Sequence, residues 1–387
     1  MLHDVVILSR ARTPIGSFNG GLSRFSAPEL GAAALKVAVE RAGLSGNDIG
    51  EVLMGQVLTA GVGQAPARQA ALRAEIPASV PCTTVNKVCG SGLKAVMLGA
   101  QAILLGEAQI VAAGGMESMT QAPYLLPKAR FGYRLGSGQV LDAILQDGLS
   151  DPYTQAHMGT FGDQCAAEFA FSRADQDDFA KISYERALNA HKNGYFKNEL
   201  AFIGIEEDEE PKNYKPEKMP VLKPAFGPSG TVTVANASKI NDGAAALVLA
   251  SGTEAQKRGL KPLAKIIGTG TFAQEPARFT TAPIGAIQKA VQNAGILLSD
   301  IEYFEINEAF STVTMACTKE LNLSAERVNV WGGAVALGHP IGSSGARILC
   351  TLISVLQHHQ AKYGCAAICL GGGEAVAVIV ENMLLSK

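Results

Sequence analysis

The sequence predicts an α/β protein built from two similar halves, and two observations predict it. The first is composition: the 387 residues are 47% hydrophobic and 18% charged, the balance of a globular chain with a large core, and 42 residues are glycine. The second is an internal repeat in which apolar helices, short strands and glycine turns recur in the same order. The length favours two or three domains.

The repeat consists of matched segments at matched spacings. Residues 38–43 (AVERAG) resemble residues 290–295 (AVQNAG), and in each copy an Asp-Ile pair begins five residues after the glycine. Residues 89–94 (CGSGLK) resemble residues 342–347 (GSSGAR), and the glycines of the two segments are 49 residues apart in one copy and 50 in the other. Any α/β protein repeats strand–helix–strand units, but a register kept across several elements favours a duplicated unit.

Each copy continues with an apolar helix, a short strand and a glycine turn. The strands are predicted at residues 110–113, before a turn at 114–115, and at residues 366–370, before a turn at 371–372. Residues 91–105 have the apolar pattern of a helix, so Cys89 is predicted at a helix N-terminus. There the helix dipole favours the thiolate and is expected to lower the pKa of Cys89.

Residues 119–245 have no counterpart in the repeat and are predicted to form an inserted loop domain. Insertions over one face of a sheet often shape substrate sites. The boundaries then assign residues 1–118 and about 246–268 to the N-terminal half, and residues 269–387 to the C-terminal half. Within the insertion, the acidic run at 206–210 is predicted to be a solvated loop.

Composition argues against several classes of function. A net charge of −2 gives no signal for nucleic acid as a partner. The seven cysteines form neither a disulfide framework nor a C-x-x-C pair, and His358-His359 lacks a partner cluster, so no metal site is predicted. Residues 1–8 have a strand pattern without a basic signal-peptide region, and no apolar run reaches the roughly 18 residues of a membrane span. We therefore expect a cytoplasmic protein without a membrane partner.

Three residues on glycine-rich turns predict the chemistry. Cys89, Cys369 and His339 each lie beside glycines, which let a substrate and backbone N–H groups approach closely. This combination suggests one sulfur as a nucleophile, the other as a proton carrier, and a base between them.

Taken together, the motifs resemble those of the thiolase family, and within it the biosynthetic acetyl-CoA acetyltransferases, or acetoacetyl-CoA thiolases. The resemblance covers essentially the whole chain. Each motif is weakly specific by itself, but all of them in order are very specific. The matching segments are 86–92 (NKVCGSG), 114–119 (GGMESM), 236–238 (NAS), 241–245 (NDGAA), 307–310 (NEAF), 338–340 (GHP) and 369–373 (CLGGG). The resemblance implies a five-layered α-β-α-β-α fold of two similar halves with an inserted loop domain.

The resemblance also implies catalytic roles. Cys89 would be the nucleophile that takes an acyl group from a thioester, and His339 would accept its proton. Cys369 would remove the α-proton of a second acetyl-CoA. His339 and a water held by Asn307 would stabilise the enolate, and the backbone N–H groups of Cys89 and Gly371 would stabilise the tetrahedral intermediates on Cys89.

Substrate contacts are implied at four positions. His157 and Met158 match the short-chain acetoacetyl-CoA thiolases and would narrow the acyl end of the site, although an isolated loop histidine is usually without a role. Ser238 would contact the pantetheine chain, or is a common turn residue. Lys212 lies where relatives carry an arginine near the CoA nucleotide, but a solvated lysine fits equally well.

Two residues depart from the family pattern. Trp331 stands where relatives have a small polar residue, and is expected to crowd the active site or to pack beneath it. Lys239 replaces a residue that is usually small.

The implied function is the reversible condensation of two acetyl-CoA molecules to acetoacetyl-CoA and CoA. CoA thioesters are substrates in this reaction, and no separate cofactor is expected.

The basic segment at 123–138 resembles the loop that joins dimers of biosynthetic thiolases into a homotetramer, or is a basic surface facing CoA. The alternatives are a degradative 3-ketoacyl-CoA thiolase, which His157 and Met158 disfavour, and a non-catalytic CoA or lipid carrier. A decarboxylating ketosynthase is disfavoured by Cys369.

Overall fold

The computed structural model describes residues 4–385, so residues 1–3 of the predicted first strand lie outside the described residues. The strands are β1 (Val5–Arg12), β2 (Gly16–Ser17), β3 (Glu51–Gly55), β4 (Cys82–Val85), β5 (Ile110–Ser118), β6 (Tyr124–Leu125), β7 (Leu141–Asp142), β8 (Asn241–Ser251), β9 (Ala264–Ala273), β10 (Tyr303–Ile306), β11 (Tyr363–Leu370) and β12 (Glu374–Asn382). The helices are α1 (Ala27–Arg41), α2 (Pro66–Arg73), α3 (Ser91–Leu105), α4 (Met158–Glu168), α5 (Arg173–Lys192), α6 (Gly252–Lys257), α7 (Ala282–Ala294), α8 (Ser311–Glu320), α9 (Ala334–Leu337) and α10 (Ile341–His359).

The main sheet reads as two similar halves joined at one strand pair. Its order is β10-β11-β12-β9-β1-β8-β5-β3-β4, with β2 added to β8. The antiparallel pair β1 and β9 forms the junction, where Val5 lies opposite Ile266. On either side of it an antiparallel strand (β8 or β12) comes next, followed by strands that run parallel to each other. This order confirms the duplicated unit predicted from the repeat.

Helices fill the space between the half-sheets and cover both outer faces. Side chains of α3 and α10, such as Leu93 and Ile348, share one core with Leu247 of β8 and Ile368 of β11. A second core joins α1 and α2 to the outer face of the N-terminal half-sheet, and a third joins α7 and α8 to the outer face of the other half-sheet. The result is the five-layered α-β-α-β-α arrangement that the resemblance implied.

Glycines set the distance between the central elements. A Cβ atom at Gly92 would lie 2.9 Å from the backbone nitrogen of Ala346, and one at Gly345 would lie 2.6 Å from that of Leu93. These are the paired glycines of the repeat, so α3 and α10 touch through equivalent positions. Gly115 belongs to β5 rather than to the predicted turn. A glycine is needed there because a Cβ would lie 2.1 Å from the carbonyl oxygen of Gly342, at the start of α10.

The inserted segment between β5 and β8 carries β6, β7, α4 and α5 and is tied to the sheet through the acidic run. Asp208 is buried and forms an ion pair with Arg12 at 2.7 Å. Burial raises the pKa of Asp208, but Arg12 and His191 outweigh that effect and hold it well below its usual range. Glu210 is also buried, so the prediction of a solvated loop was wrong for this part of the run.

One helix is apolar enough to cross a membrane by length and composition. It lies within Val88–Leu105, although no apolar run of membrane-spanning length was predicted from the sequence. In the fold this helix is α3, which packs between the two half-sheets. Its apolar character on all sides therefore matches its place in the central layer.

The contact between α3 and α10 predicts that Gly345→Ala destabilises the protein. Alanine is favoured over glycine in a helix by about 1 kcal/mol. The added methyl group, however, would lie 2.6 Å from backbone of α3, so we expect a net loss of about 1–3 kcal/mol of unfolding free energy. Gly227→Ala is the matched control, because its Cβ would meet nothing within 4 Å. Urea unfolding with equal midpoints for the two variants would contradict this account.

Candidate active site

Cys89 lies on a strained turn that leads into α3. Val88 has a φ of +47°, an unusual value for a β-branched residue. The hydroxyl of Ser91 accepts the N–H of Lys87 and donates to the carbonyl oxygen of Val88, which closes the turn. The turn also packs closely on β11, because a Cβ at Gly90 would lie 2.5 Å from the Leu370 side chain.

The electrostatics of Cys89 differ from the prediction. Burial raises the pKa of Cys89 to about 12, while the backbone N–H groups of Cys89 and Gly371 oppose that shift. The position at a helix N-terminus was predicted correctly, but the expected low pKa was wrong, because burial raises the pKa by more than the backbone N–H groups lower it. Cys89 is therefore a thiol at rest and needs a base to become a nucleophile.

His339 lies between α9 and α10 and is held by one hydrogen bond at its backbone and one at its ring. Its backbone N–H donates to Oδ1 of Asn241 at 2.8 Å, and its Nδ1 lies 2.6 Å from Oγ of Ser344. Because the Ser344 hydroxyl donates to the carbonyl oxygen of Pro340, Nδ1–H of His339 is the donor to Ser344. This assignment leaves Nε2 as an acceptor.

The Nε2 atom of His339 is free to accept a proton. It is buried and has no hydrogen-bond partner within residues 4–385. Burial and the charge of Arg347 lower the pKa of His339 to about 3, so the ring is neutral near pH 7. A neutral imidazole with an open acceptor atom can act as a base toward a thiol.

Cys369 lies at the carboxyl end of β11, one residue before the glycine turn. It is 1% exposed and pairs with Ala375 across the sheet. Burial raises the pKa of Cys369 well above its ordinary value, and Cys89 raises it further. A Cβ at Gly371 would lie 3.5 Å from the Val88 side chain, and an ion pair joins Lys87 to Glu374, so the turns beside the two sulfurs are adjacent.

Asn307 follows β10 and presents a buried amide to the site. Its backbone N–H donates to the carbonyl oxygen of Ala367, but its side-chain Nδ2 and Oδ1 form no hydrogen bond within the described part of the chain. The next residue, Glu308, accepts hydrogen bonds from Ser183, Asn329 and the backbone of Val335. The loop is thus rigid, and the amide of Asn307 is available to a water or a substrate oxygen.

A cavity of about 450 Å³ opens onto His339. His157 and Ser238 also line it, and its other walls are mainly apolar. Nδ1 of His157 accepts the N–H of Gly159 at 3.0 Å, and the ring stacks on Phe226 with 4.5 Å between centroids. Nε2–H of His157 is therefore a donor at the cavity wall. The hydroxyl of Ser238 donates to the carbonyl oxygen of Ala309 at 2.9 Å.

Comparison with known proteins decides the family. The model of the family described as "Thiolase, N-terminal domain" matches residues 5–253, and that described as "Thiolase, C-terminal domain" matches residues 260–382. The chain belongs to the thiolase family.

Named relatives of this thiolase are similar along their full length. An acetyl-CoA acetyltransferase from Schizosaccharomyces pombe is 51% identical, with 98% of this chain and 99% of that protein covered. One from Cupriavidus necator is 46% identical, with 98% and 100% covered. The crystal structure of the Acat5 thiolase from Ascaris suum in complex with coenzyme A has a TM-score of 0.95 and 46% identity, covering 98% of this chain and 100% of that one.

Of the predicted residues, His157, Ser238 and His339 line this cavity, whereas others do not: Cys89, Cys369, Asn307, Met158, Lys212 and Trp331. Lys212 is exposed and pairs with Glu207 at 3.0 Å, although Glu210 and Asn213 of the same turn line the cavity wall. Trp331 is buried in a separate core against Tyr195. It therefore packs beneath the site instead of crowding it.

Sequence reasoning missed residues that hold the thiolase site together. Ser344 orients His339 from the first turn of α10, and Asn241 fixes the His339 backbone from β8. Asn241 begins a motif noted in the sequence, but nothing in the sequence shows what it touches.

No cluster of three or more potential metal ligands occurs among residues 4–385.

The Ser344 contact predicts a catalytic effect without a change of fold. Ser344→Ala removes the acceptor of Nδ1–H, so His339 loses its fixed tautomer, and we expect kcat to fall at least about tenfold. Ser343→Ala, on the same turn of α10, is the control and should retain activity. The measurement is steady-state cleavage of acetoacetyl-CoA by CoA, with thermal unfolding to verify the fold. Equal kcat in the two variants would rule out a positioning role for Ser344.

Proposed function

We propose that this thiolase is an acetyl-CoA acetyltransferase that reversibly condenses two acetyl-CoA molecules to acetoacetyl-CoA and CoA. The observation that carries the proposal is the meeting of two cysteine turns beside a neutral histidine. The turn that carries Cys89 packs on the end of β11 that carries Cys369, and His339 keeps an open Nε2 atom. Relatives about half identical over their full length are named acetyl-CoA acetyltransferases.

In the first half-reaction, Cys89 takes the acetyl group. His339 accepts the thiol proton at Nε2, and the sulfur attacks the thioester carbonyl of acetyl-CoA. The tetrahedral oxyanion would be bound by the backbone N–H groups of Cys89 and Gly371, both of which already act on the Cys89 sulfur. Collapse of the intermediate expels the CoA thiolate, which takes the proton from His339 and leaves acetyl-Cys89.

In the second half-reaction, neutral His339 first takes the thiol proton of Cys369, and the resulting Cys369 thiolate removes a proton from the methyl group of another acetyl-CoA. His339 and a water held by Asn307 would stabilise the enolate oxygen, for which the unpartnered amide of Asn307 is suited. The enolate carbon attacks acetyl-Cys89, forming the carbon–carbon bond and releasing acetoacetyl-CoA. The Cys89 thiolate then recovers the proton held by His339, and Cys369 keeps the proton from the methyl group, so both thiols and the neutral imidazole are restored.

The cavity supports a short acyl group attached to CoA. His157 would donate from Nε2–H to the thioester oxygen, and its stacking on Phe226 together with buried Met158 limits the space at the acyl end. Ser238, on the cavity wall, would contact the pantetheine chain. Lys212 would meet the nucleotide phosphates only by leaving Glu207, as an exposed lysine can. CoA thioesters are the substrates in this proposal, and no further cofactor takes part.

A cytoplasmic location is part of the proposal. All seven cysteines lie among the described residues and none forms a disulfide, as expected in a reducing compartment. A relative from Gibberella zeae, 49% identical, is named a cytosolic acetyl-CoA acetyltransferase.

The proposed function predicts a covalent acetyl group on Cys89 when acetyl-CoA is supplied alone. We expect ping-pong kinetics and a digest in which only the peptide containing Cys89 has gained acetyl. Cys82→Ala is the matched control, because that thiol lies in β4 against the core formed with α1 and α2, and its loss should leave the adduct in place. Acetyl found only on another cysteine would contradict the assignment. Faster thiolysis of 3-ketodecanoyl-CoA than of acetoacetyl-CoA would favour the degradative alternative.

A homotetramer is proposed from the exposed apolar excursion between β5 and α4. The small sheet of β6 and β7 forms its base, and Phe131 and Leu135 on its tip are 86% and 100% exposed. Apolar side chains gathered on such an excursion are typical of an interaction surface.

The tetramer predicts that charges on this tip weaken assembly. We expect light scattering of the wild type at micromolar concentration to give a tetramer mass, and Phe131→Glu with Leu135→Glu to give a dimer, because burying the new carboxylates would be unfavourable. Leu105→Glu, at a position that is 76% exposed on α3, is the control and should remain tetrameric. A wild-type protein that is already dimeric would contradict the proposal.

A further inference from the structure

Lys239 is a partly buried lysine in the cavity wall to which the mechanism above gives no role. Its Nζ donates to the carbonyl oxygen of Ala237 at 2.9 Å and to that of Val335 at 2.8 Å. The ring of Tyr184 covers the ammonium group, with 5.1 Å between Nζ and the ring centroid. The group is therefore engaged by protein partners on several sides.

The surroundings keep this ammonium charged despite its burial. Burial lowers the pKa of Lys239 to about 8, and Glu210 and Glu308 oppose that shift. The charged form consequently predominates at pH 7. A buried charge is costly unless hydrogen bonds and nearby charges compensate it, and here two carbonyls, an aromatic face and two acidic residues do so.

The two carbonyl groups belong to different segments of the active site. Ala237 precedes Ser238 in the loop that leads into β8. Val335 belongs to α9, a helix of only four residues that ends just before Gly338 and His339. The backbone N–H of Val335 is held by Glu308, the neighbour of Asn307 in sequence. The ammonium of Lys239 thus joins the Ser238 loop to the short helix that precedes His339.

We propose that Lys239 is a positioning residue of this site, whose ammonium group fixes the helix before His339 relative to the Ser238 loop on the cavity wall. The proposal rests on the function proposed above, because it concerns the same reaction. It explains why a charged side chain stands at a position where a small one would fill the wall.

Removing the charge separates positioning from substrate binding. Lys239→Met keeps the length and apolar stem of the side chain but leaves the carbonyl groups of Ala237 and Val335 without their shared donor. A displacement of the base by about 1 Å can cost on the order of 100-fold in rate, so we expect kcat for acetoacetyl-CoA cleavage to fall by about that factor. We expect KM to change by less than about threefold, because Lys239 makes its contacts with protein.

A second variant tests the role of the ammonium group by chemical rescue. Lys239→Ala leaves space for a small amine, and propylammonium chloride should restore at least about tenfold of the lost kcat. Propanol, which lacks the charge, and sodium chloride at the same ionic strength should not restore it. Lys261→Met, an exposed position away from the site, is the control for loss of a lysine and should behave as the wild type.

Each outcome decides the proposal. Folded Lys239→Met with kcat within twofold of the wild type would overturn it, as would a rise in KM at unchanged kcat, which would make Lys239 a substrate contact. Failure of both variants to fold, with or without the amine, would also overturn it by making Lys239 a requirement for folding. An inactive wild type would instead contradict the proposed function, so the two failures are distinguishable.

Discussion

The close contact between the two central helices is the constraint on which the site depends. α3 and α10 meet through Gly92 and Gly345, where any side chain would collide with backbone of the other helix. Because the helices begin at this contact, the turn before α3 and the turn before α10 are held next to each other. Those turns carry Cys89 and His339. β11 belongs to the same core and delivers Cys369 at its carboxyl end. The duplicated architecture therefore assembles the site from both halves.

Burial explains how these groups divide their chemical tasks. Desolvation raises the pKa values of both thiols and lowers that of His339, so all three are neutral at rest. Neutral groups in a dry site avoid the cost of isolated buried charges. Charge then appears only when a proton moves during the reaction, where backbone N–H groups and the Asn307 amide are already in place. This is electrostatic preorganisation, and it depends on the rigid turns described above.

Much of the fold was readable from the sequence, and the limits have physical causes. The repeat predicted the two halves because paired glycines and apolar helices leave a pattern in the chain. Gly114 and Gly115 of β5 were wrongly predicted to form a turn, because in a sequence a glycine needed for close approach looks like a glycine needed for a turn. The acidic run was misread because the partners of Asp208 are distant in sequence: Arg12 lies almost 200 residues away.

The same limit applies to the site: local patterns can be read from the sequence, but contacts between distant residues cannot. Cys89, His339 and Cys369 were predicted because glycines lie near each of them, but the pKa of Cys89 was not predicted correctly, because helix position is local whereas desolvation depends on the whole fold. Ser344, Asn241 and Lys239 act through contacts that only the folded chain creates.

The central claim is that two neighbouring sulfurs carry separate proton tasks, and isotope exchange tests it most directly. Cys369→Ser keeps the shape of the side chain but raises its pKa far above neutrality, so transfer of the α-proton becomes inefficient. The measurement compares deuterium uptake into acetyl-CoA in heavy water with acetylation of Cys89 in the same variant. The account predicts normal acetylation and strongly slowed exchange. Loss of acetylation with undiminished exchange would contradict it and would interchange the roles of Cys89 and Cys369.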